Sequence, residues 1–185
     1  MDKNVTITND VKIKSSFNSI YVNLSWYAKN NIPNYGTITE IPKEHMDYIN
    51  SVKYANNCYS MFYDCNKLTA ELDLSNFDTS KVTNMGNMFY NCTSLISIDV
   101  SNFDTSSVTD MSCMFYNCVS LIAIKGTLDL SSCTTVNSIF NGALIIEGLH
   151  LKNVPRSLLD TDGSLKDTYG ILNHTYIIDN ILEDK

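Results

Sequence analysis

Met61-Phe62-Tyr63-Asp64-Cys65-Asn66-Lys67-Leu68 recurs as Met88-Phe89-Tyr90-Asn91-Cys92-Thr93-Ser94-Leu95 and again as Met114-Phe115-Tyr116-Asn117-Cys118-Val119-Ser120-Leu121. A fourth, eroded version is Ile139-Phe140-Asn141-Gly142-Ala143-Leu144. The phenylalanines Phe62, Phe89, Phe115 and Phe140 stand 27, 26 and 25 residues apart. Between them lies a second recurring unit, Leu74-Ser75-Asn76-Phe77-Asp78-Thr79-Ser80 and Val100-Ser101-Asn102-Phe103-Asp104-Thr105-Ser106. Self-similarity at a fixed period of this length is the signature of a repeat architecture, in which no unit buries its apolar face alone.

Each repeat reads as a helix followed by a short strand. Val82, Met85, Phe89 and Cys92 fall at offsets 0, 3, 7 and 10, as do Val108, Met111, Phe115 and Cys118, and Ala55, Cys58, Phe62 and Cys65. That spacing suits one face of a helix. Asp78-Thr79-Ser80 and Asp104-Thr105-Ser106 precede the apolar runs and offer N-cap side chains. Alternating apolar residues predict strands at Leu72/Leu74, Ile98/Val100, Leu128/Leu130 and Leu149/Leu151, neighbours in one parallel sheet. The expected fold is an α/β repeat: a short leucine-rich-repeat-like solenoid of about four helix-strand coils. Residues 1–45 form a β-rich N-terminal cap or docking segment, 46–155 the solenoid and 156–185 a C-terminal cap. Within the first segment Val5/Ile7 could pair with Val11/Ile13, and Ile20, Val22, Leu24 and Trp26 alternate as a strand. At the other end Asp160-Thr161-Asp162-Gly163 reads as a turn, and Tyr176-Ile177-Ile178 with Ile181-Leu182 as the closure of the core.

The phrase Phe-Asp-Thr-Ser-x-Val-Thr-x-Met-x-x-Met-Phe-x-x-Cys-x-x-Leu resembles the repeat of the BspA-like leucine-rich repeat surface proteins, over roughly residues 50 to 155. The resemblance implies adhesion or protein recognition and brings no catalytic residue with it. Related repeats also occur in phage virion proteins.

Composition narrows the partners. The chain has 185 residues, 44% hydrophobic and 18% charged, so it can bury a core. Its net charge of −7 offers no footprint for a nucleic-acid backbone. No apolar run reaches the ~18 residues of a membrane span, and Met1-Asp2-Lys3-Asn4-Val5-Thr6 lacks the apolar region of a secretory signal. Asn at 22 residues against Ala at 5 fits an AT-rich genome.

Three of the six cysteines, Cys65, Cys92 and Cys118, share one repeat position, which predicts a buried column of free thiols. Parallel Cβ vectors are poor geometry for bridging them. No Cys-x-x-Cys, nucleophile elbow, phosphate loop or zinc-protease motif is present, and His45, His150 and His174 are scattered. The expectation is therefore no enzyme, no cofactor and no metal.

Between the inward strand residues lie Asp73, Asp99, Asp129 and His150, flanked by Glu71, Ser97 and Thr127. Stacking would align the aspartates about 4.8 Å apart, where like charges repel. These seven residues are the candidate partner-binding face, for a protein or glycan surface or for other virion proteins. The expected function is a non-catalytic interaction or adhesion module. A phage tail or capsid component is the favoured setting, because no export signal is present, and a bacterial surface or secreted adhesin is the alternative.

Overall fold

The computed structural model describes residues 22–23, 32–34, 37–51, 55–69, 72, 74–145, 147–165 and 177–183. The strands are β1 (Val22–Asn23), β2 (Ala55–Asn57), β3 (Ser97–Asp99), β4 (Ala123–Asp129), β5 (Glu147–Lys152), β6 (Val154–Pro155), β7 (Ile177–Ile178) and β8 (Ile181–Leu182), and the one α-helix among the described residues, α1, is Lys43–Ser51. Every strand pair is parallel: β1 with β2, β6 with β8, and a sheet in the order β3-β4-β5-β7. Ile98 faces Ile124, Leu128 faces Leu151 and Leu151 faces Ile178, so each tier of chain lies on the one 23 to 27 residues away.

Among the described residues from Ala55 to Leu151 there is no helix. Over residues 58–65 alternate amides cross to the next tier: Cys58, Ser60, Phe62 and Asp64 donate to the carbonyls of Asn84, Gly86, Met88 and Tyr90. The amides between them close four-residue turns, Met61 to Cys58, Tyr63 to Ser60 and Cys65 to Phe62. The pattern repeats from Met85–Asn91 onto 110–116 and from Met111–Asn117 onto 135–141. In a helix every one of these amides would bond four residues back in its own segment. Two residues per tier stand at positive φ: Ser60 and Asp64, Asn87 and Asn91, Cys113 and Asn117, Ser138 and Gly142. The left-handed region breaks a right-handed helix and suits Asn, Asp and Gly. The offsets 0, 3, 7 and 10 thus mark the inward corners of a turn ladder.

The expected caps of helix N-termini are also turns. Asp78 accepts from the Ser80 amide and hydroxyl through Oδ1, and Asp104 does the same for Ser106. Between them the Thr79 and Thr105 side chains are buried. The Thr105 hydroxyl donates to the Asp129 carbonyl at 2.9 Å and accepts the Asp129 amide at 2.7 Å, and Thr79 does likewise with Asp104. Each threonine clips one tier to the next without leaving a buried polar atom unpaired.

The interior is a set of columns. Phe62, Phe89, Phe115 and Phe140 are fully buried and stack in order, with ring centroids 5.3, 5.4 and 5.8 Å apart. Beside them Cys65, Cys92 and Cys118 are buried free thiols. The Cys92 thiol donates to the Phe62 carbonyl at 3.1 Å and the Cys118 thiol to the Phe89 carbonyl at 3.0 Å. Burial pushes the thiols of Cys58 and Cys118 up to about 12, which keeps them in the donor form.

Two registers depart from expectation, and the first is that Leu128 faces Leu151 in place of Leu149. In the second, strand alternation sets Leu128/Leu130 opposite Ile98/Val100, yet Ile98 faces Ile124 and the Val100 amide bonds the Lys125 carbonyl. The extra residues lengthen β4, whose first three residues pair with β3 while β5 runs along its whole length. Between Ala123↔Glu147 and Gly126↔Leu149 β4 advances three residues against two, a bulge. Gly126 sits there at φ 116°.

Beyond Pro155 the parallel pairing goes on. β7 extends the sheet and β8 lies on β6, while Ile177 is 54% exposed. Ile178 packs against the core; Ile177, Ile181 and Leu182 do not close over it. The turn at Asp160–Gly163 is present, closed by the Gly163 amide on the Asp160 carbonyl. In the N-terminal segment Val22–Asn23 is a strand, whereas the Val5/Ile7–Val11/Ile13 pairing and Tyr176 lie outside the described residues.

Candidate functional site

Two exterior faces follow from this register, one on the strands and one on the turn ladder. Of the strand-face candidates, Glu71 and Asp73 lie outside the described residues. Ser97, Thr127 and His150 are half-buried on β3, β4 and β5.

The expected column of repelling aspartates does not form between Asp99 and Asp129. The regular β3–β4 register sets Asp99 opposite Lys125, and the β4–β5 register beyond the bulge sets Asp129 opposite Lys152. Lys125 Nζ lies 2.7 Å from Asp99 Oδ2, and Lys152 Nζ lies 3.4 Å from Asp129 Oδ2. His150 Nδ1 approaches Asp179 at 3.4 Å, and Arg156 reaches Glu183 at 3.2 Å. Opposite charges therefore meet from tier to tier, the favourable cross-strand arrangement. The aspartates also shape their own turns, since Asp99 and Asp129 accept the amides of Ser101 and Ser131 two residues on.

The bond from the Lys125 ammonium, helped by Ser101, holds the Asp99 carboxyl down at about 2. Burial pushes Asp129 upward, but bonds from Ser131 and Asn153 and the Lys152 charge outweigh it and keep its carboxyl below the usual range. A group whose folded pKa is depressed stabilises the fold above its unfolded pKa, and that contribution fades as pH falls through the folded value. For Asp99 the window runs from about 4 down to about 2. Asp99→Asn should therefore lower stability at pH 5 by at most about 1 kcal/mol, the range of a solvent-exposed pair. Urea unfolding of both proteins should show this difference vanishing near pH 2; a gap that does not change with pH would mean the ion pair contributes nothing.

The turn ladder carries the second face. Tyr63, Tyr90 and Tyr116 stack with ring centroids 4.7 and 4.8 Å apart and planes 8° from parallel. Alongside them the left-handed residues form a row, in which the Asn91 amide donates to the Asp64 carboxylate and the Asn117 amide to the Asn91 carbonyl oxygen at 2.6 Å. A further row holds Asn57, Asn84, Asp110 and Thr135, joined by parallel bridges. Over Gly86 three groups converge: a Cβ there would lie 3.2 Å from Tyr59 Cδ2, 3.2 Å from Asn84 Oδ1 and 3.3 Å from Asp110 Oδ2. Asp110 accepts from the Ser112 amide, and neither Asp110 nor Asp64 has a Lys, Arg or His at ion-pair distance among the described residues.

Helical periodicity hides this face, although its signal in the residues is plain. Tyr follows Met-Phe in three repeats, and Asn or Asp follows Tyr each time. An outward aromatic next to a left-handed residue is legible once the ladder replaces the helix. Among the described residues no group of three or more His, Cys, Asp and Glu side chains is placed to hold a metal, and no helix is long and apolar enough to cross a membrane.

Residues 43–150, more than half of the chain, match the family described as "Mycoplasma protein of unknown function, DUF285". The match is consistent with the BspA-like resemblance of the repeats. No curated protein and no solved structure matches the chain.

Proposed function

The chain belongs to the DUF285 family of Mycoplasma proteins of unknown function, and on that footing we propose that it is a non-catalytic protein-interaction or adhesion module, built as a short leucine-rich-repeat-like solenoid of four stacked coils. One observation carries the reading: side chains recur in rows along the outside of the stack, while the interior corners are filled by packing residues. Stacked repeats commonly bind through such extended faces. Residues 1–45 serve as an N-terminal cap or docking segment, and 156–185 as a C-terminal cap.

Two settings follow, a phage tail or capsid component and a bacterial surface or secreted adhesin. Membership in a Mycoplasma family favours the second. Peptide mapping of purified virions, beside protease shaving of intact cells, separates them. For the binding itself, the labelled full chain should attach saturably to intact bacterial cells and be displaced by unlabelled chain. Attachment that never saturates would count against a recognition module.

A further inference from the structure

We propose that the turn ladder is a protein-recognition face whose partner presents an arginine or lysine side chain to Tyr59 and Asp110. This deepens the binding reading and rests on it. The strand face has its carboxylates matched by cations, Asp99 by Lys125 and Asp129 by Lys152. The ladder face instead keeps two carboxylates, Asp64 and Asp110, whose hydrogen-bond partners are amides and a hydroxyl. A cationic partner group gains there what the strand face already has internally.

An aromatic ring stands beside Asp110. The Tyr59 ring edge and the Asp110 carboxylate each lie within 3.3 Å of the Cβ position of Gly86, and Tyr59 is 45% exposed. A guanidinium or ammonium arriving from solvent can meet the ring and pair with the carboxylate, and Arg and Tyr are among the residues that dominate interface energies. Around this point the exposed Tyr59 and Tyr63 stand beside the half-buried Asn84, Asn87 and Ser112, residue types of antibody combining sites. The Tyr90 and Tyr116 carbonyls accept tier-to-tier bonds from the Asp64 and Asn91 amides, and the Tyr59 amide donates to Asn57 Oδ1, so the backbone behind these rings is ordered before binding.

The aliphatic flank favours a protein over a glycan. Asn117 lies against Gly142, and two residues past that contact Val119 and Leu144 are 51% and 42% exposed. Such side chains have apolar surface to cover, which a protein partner supplies.

The experiment is amide-shift mapping on the full chain at low salt. Three probes are used: a capped Gly-Arg-Gly-Gly-Arg-Gly peptide, its citrulline counterpart and an N-acetylglucosamine hexamer. The arginine peptide should shift Tyr59, Gly86, Asn87 and Ser112 saturably, with the citrulline form at least fivefold weaker. Asp110→Asn and, separately, Tyr59→Ala should each weaken it at least fivefold, while Asp160→Asn leaves it unchanged. Shifts confined to Asp99, Asp129 and His150 would overturn this inference and leave the binding reading standing on the strand face. Saturation of the ladder by the sugar in place of the peptide would overturn the partner class. The absence of any saturable shift would overturn the face.

Discussion

Phe89→Ala should destabilise the chain by about 3–5 kcal/mol, the range for removing a buried phenylalanine. Phe89 is fully buried with a ring on each side, Phe62 at 5.3 Å and Phe115 at 5.4 Å. Truncation leaves a void bounded by two neighbouring tiers, and the backbone ladder resists collapse into it. Tyr90→Ala, one residue on, removes a ring that also stacks on both sides but stands partly in water, so it should cost much less. Denaturant unfolding of the pair gives the comparison. A loss below 1 kcal/mol for Phe89→Ala would mean that the phenylalanine column does not hold the tiers together.

Gly126→Ala is expected to cost about 3 kcal/mol or more, because backbone strain and collision add. Gly126 has φ 116°, and a Cβ there would sit 2.6 Å from the Ser101 nitrogen and 2.8 Å from its Cα. Both are backbone atoms of the preceding tier, so β4 would have to move away from Val100–Ser101. Gly163 supplies the contrast: its φ is +84°, yet nothing lies within 4 Å of its Cβ position. Gly163→Ala carries the strain alone and should lose about 1 kcal/mol. Equal midpoints for the two variants in thermal or urea unfolding would remove the close approach at the bulge as a determinant of register.

Both substitutions probe a stack whose period is written in the residues. Met-Phe-Tyr at 61, 88 and 114 sets the tier length, and the apolar positions between repeats set the inward faces. The phenylalanine and cysteine columns follow directly, because identical residues in successive tiers must meet when the tiers stack in parallel. The parallel sheet was legible for the same reason at Ile98, Leu128 and Leu151.

Other features could not be settled by periodicity. Offsets of 0, 3, 7 and 10 are shared by a helix and by a chain of four-residue turns, since both return the side chain inward every three to four residues. What separates them is where the amides find acceptors. In this fold half of them find carbonyls about 26 residues away, and that choice exists only once the neighbouring tier is in place. Asn87, Asn91 and Asn117 hinted at it through their tolerance of positive φ, but Ser60, Cys113 and Ser138 adopt the same region without that preference.

The candidate site divides along the same line. That Asp99 points outward is a matter of strand alternation, legible from Ile98 and Val100, whereas Asp129, expected on the same face, is buried among Ser131, Asn153 and Lys152. Their neighbours depend on register. The residues inserted ahead of Leu128 put Lys125 opposite Asp99, and the β4–β5 register beyond the bulge at Gly126 puts Lys152 opposite Asp129, so the two aspartates do not meet. Residue order thus decides which side chains are buried and how often they recur, because burial follows local spacing and tiers repeat. Tertiary structure decides which charges meet, because a shift by an even number of residues between parallel strands keeps the same side chains inward yet changes every partner across the sheet.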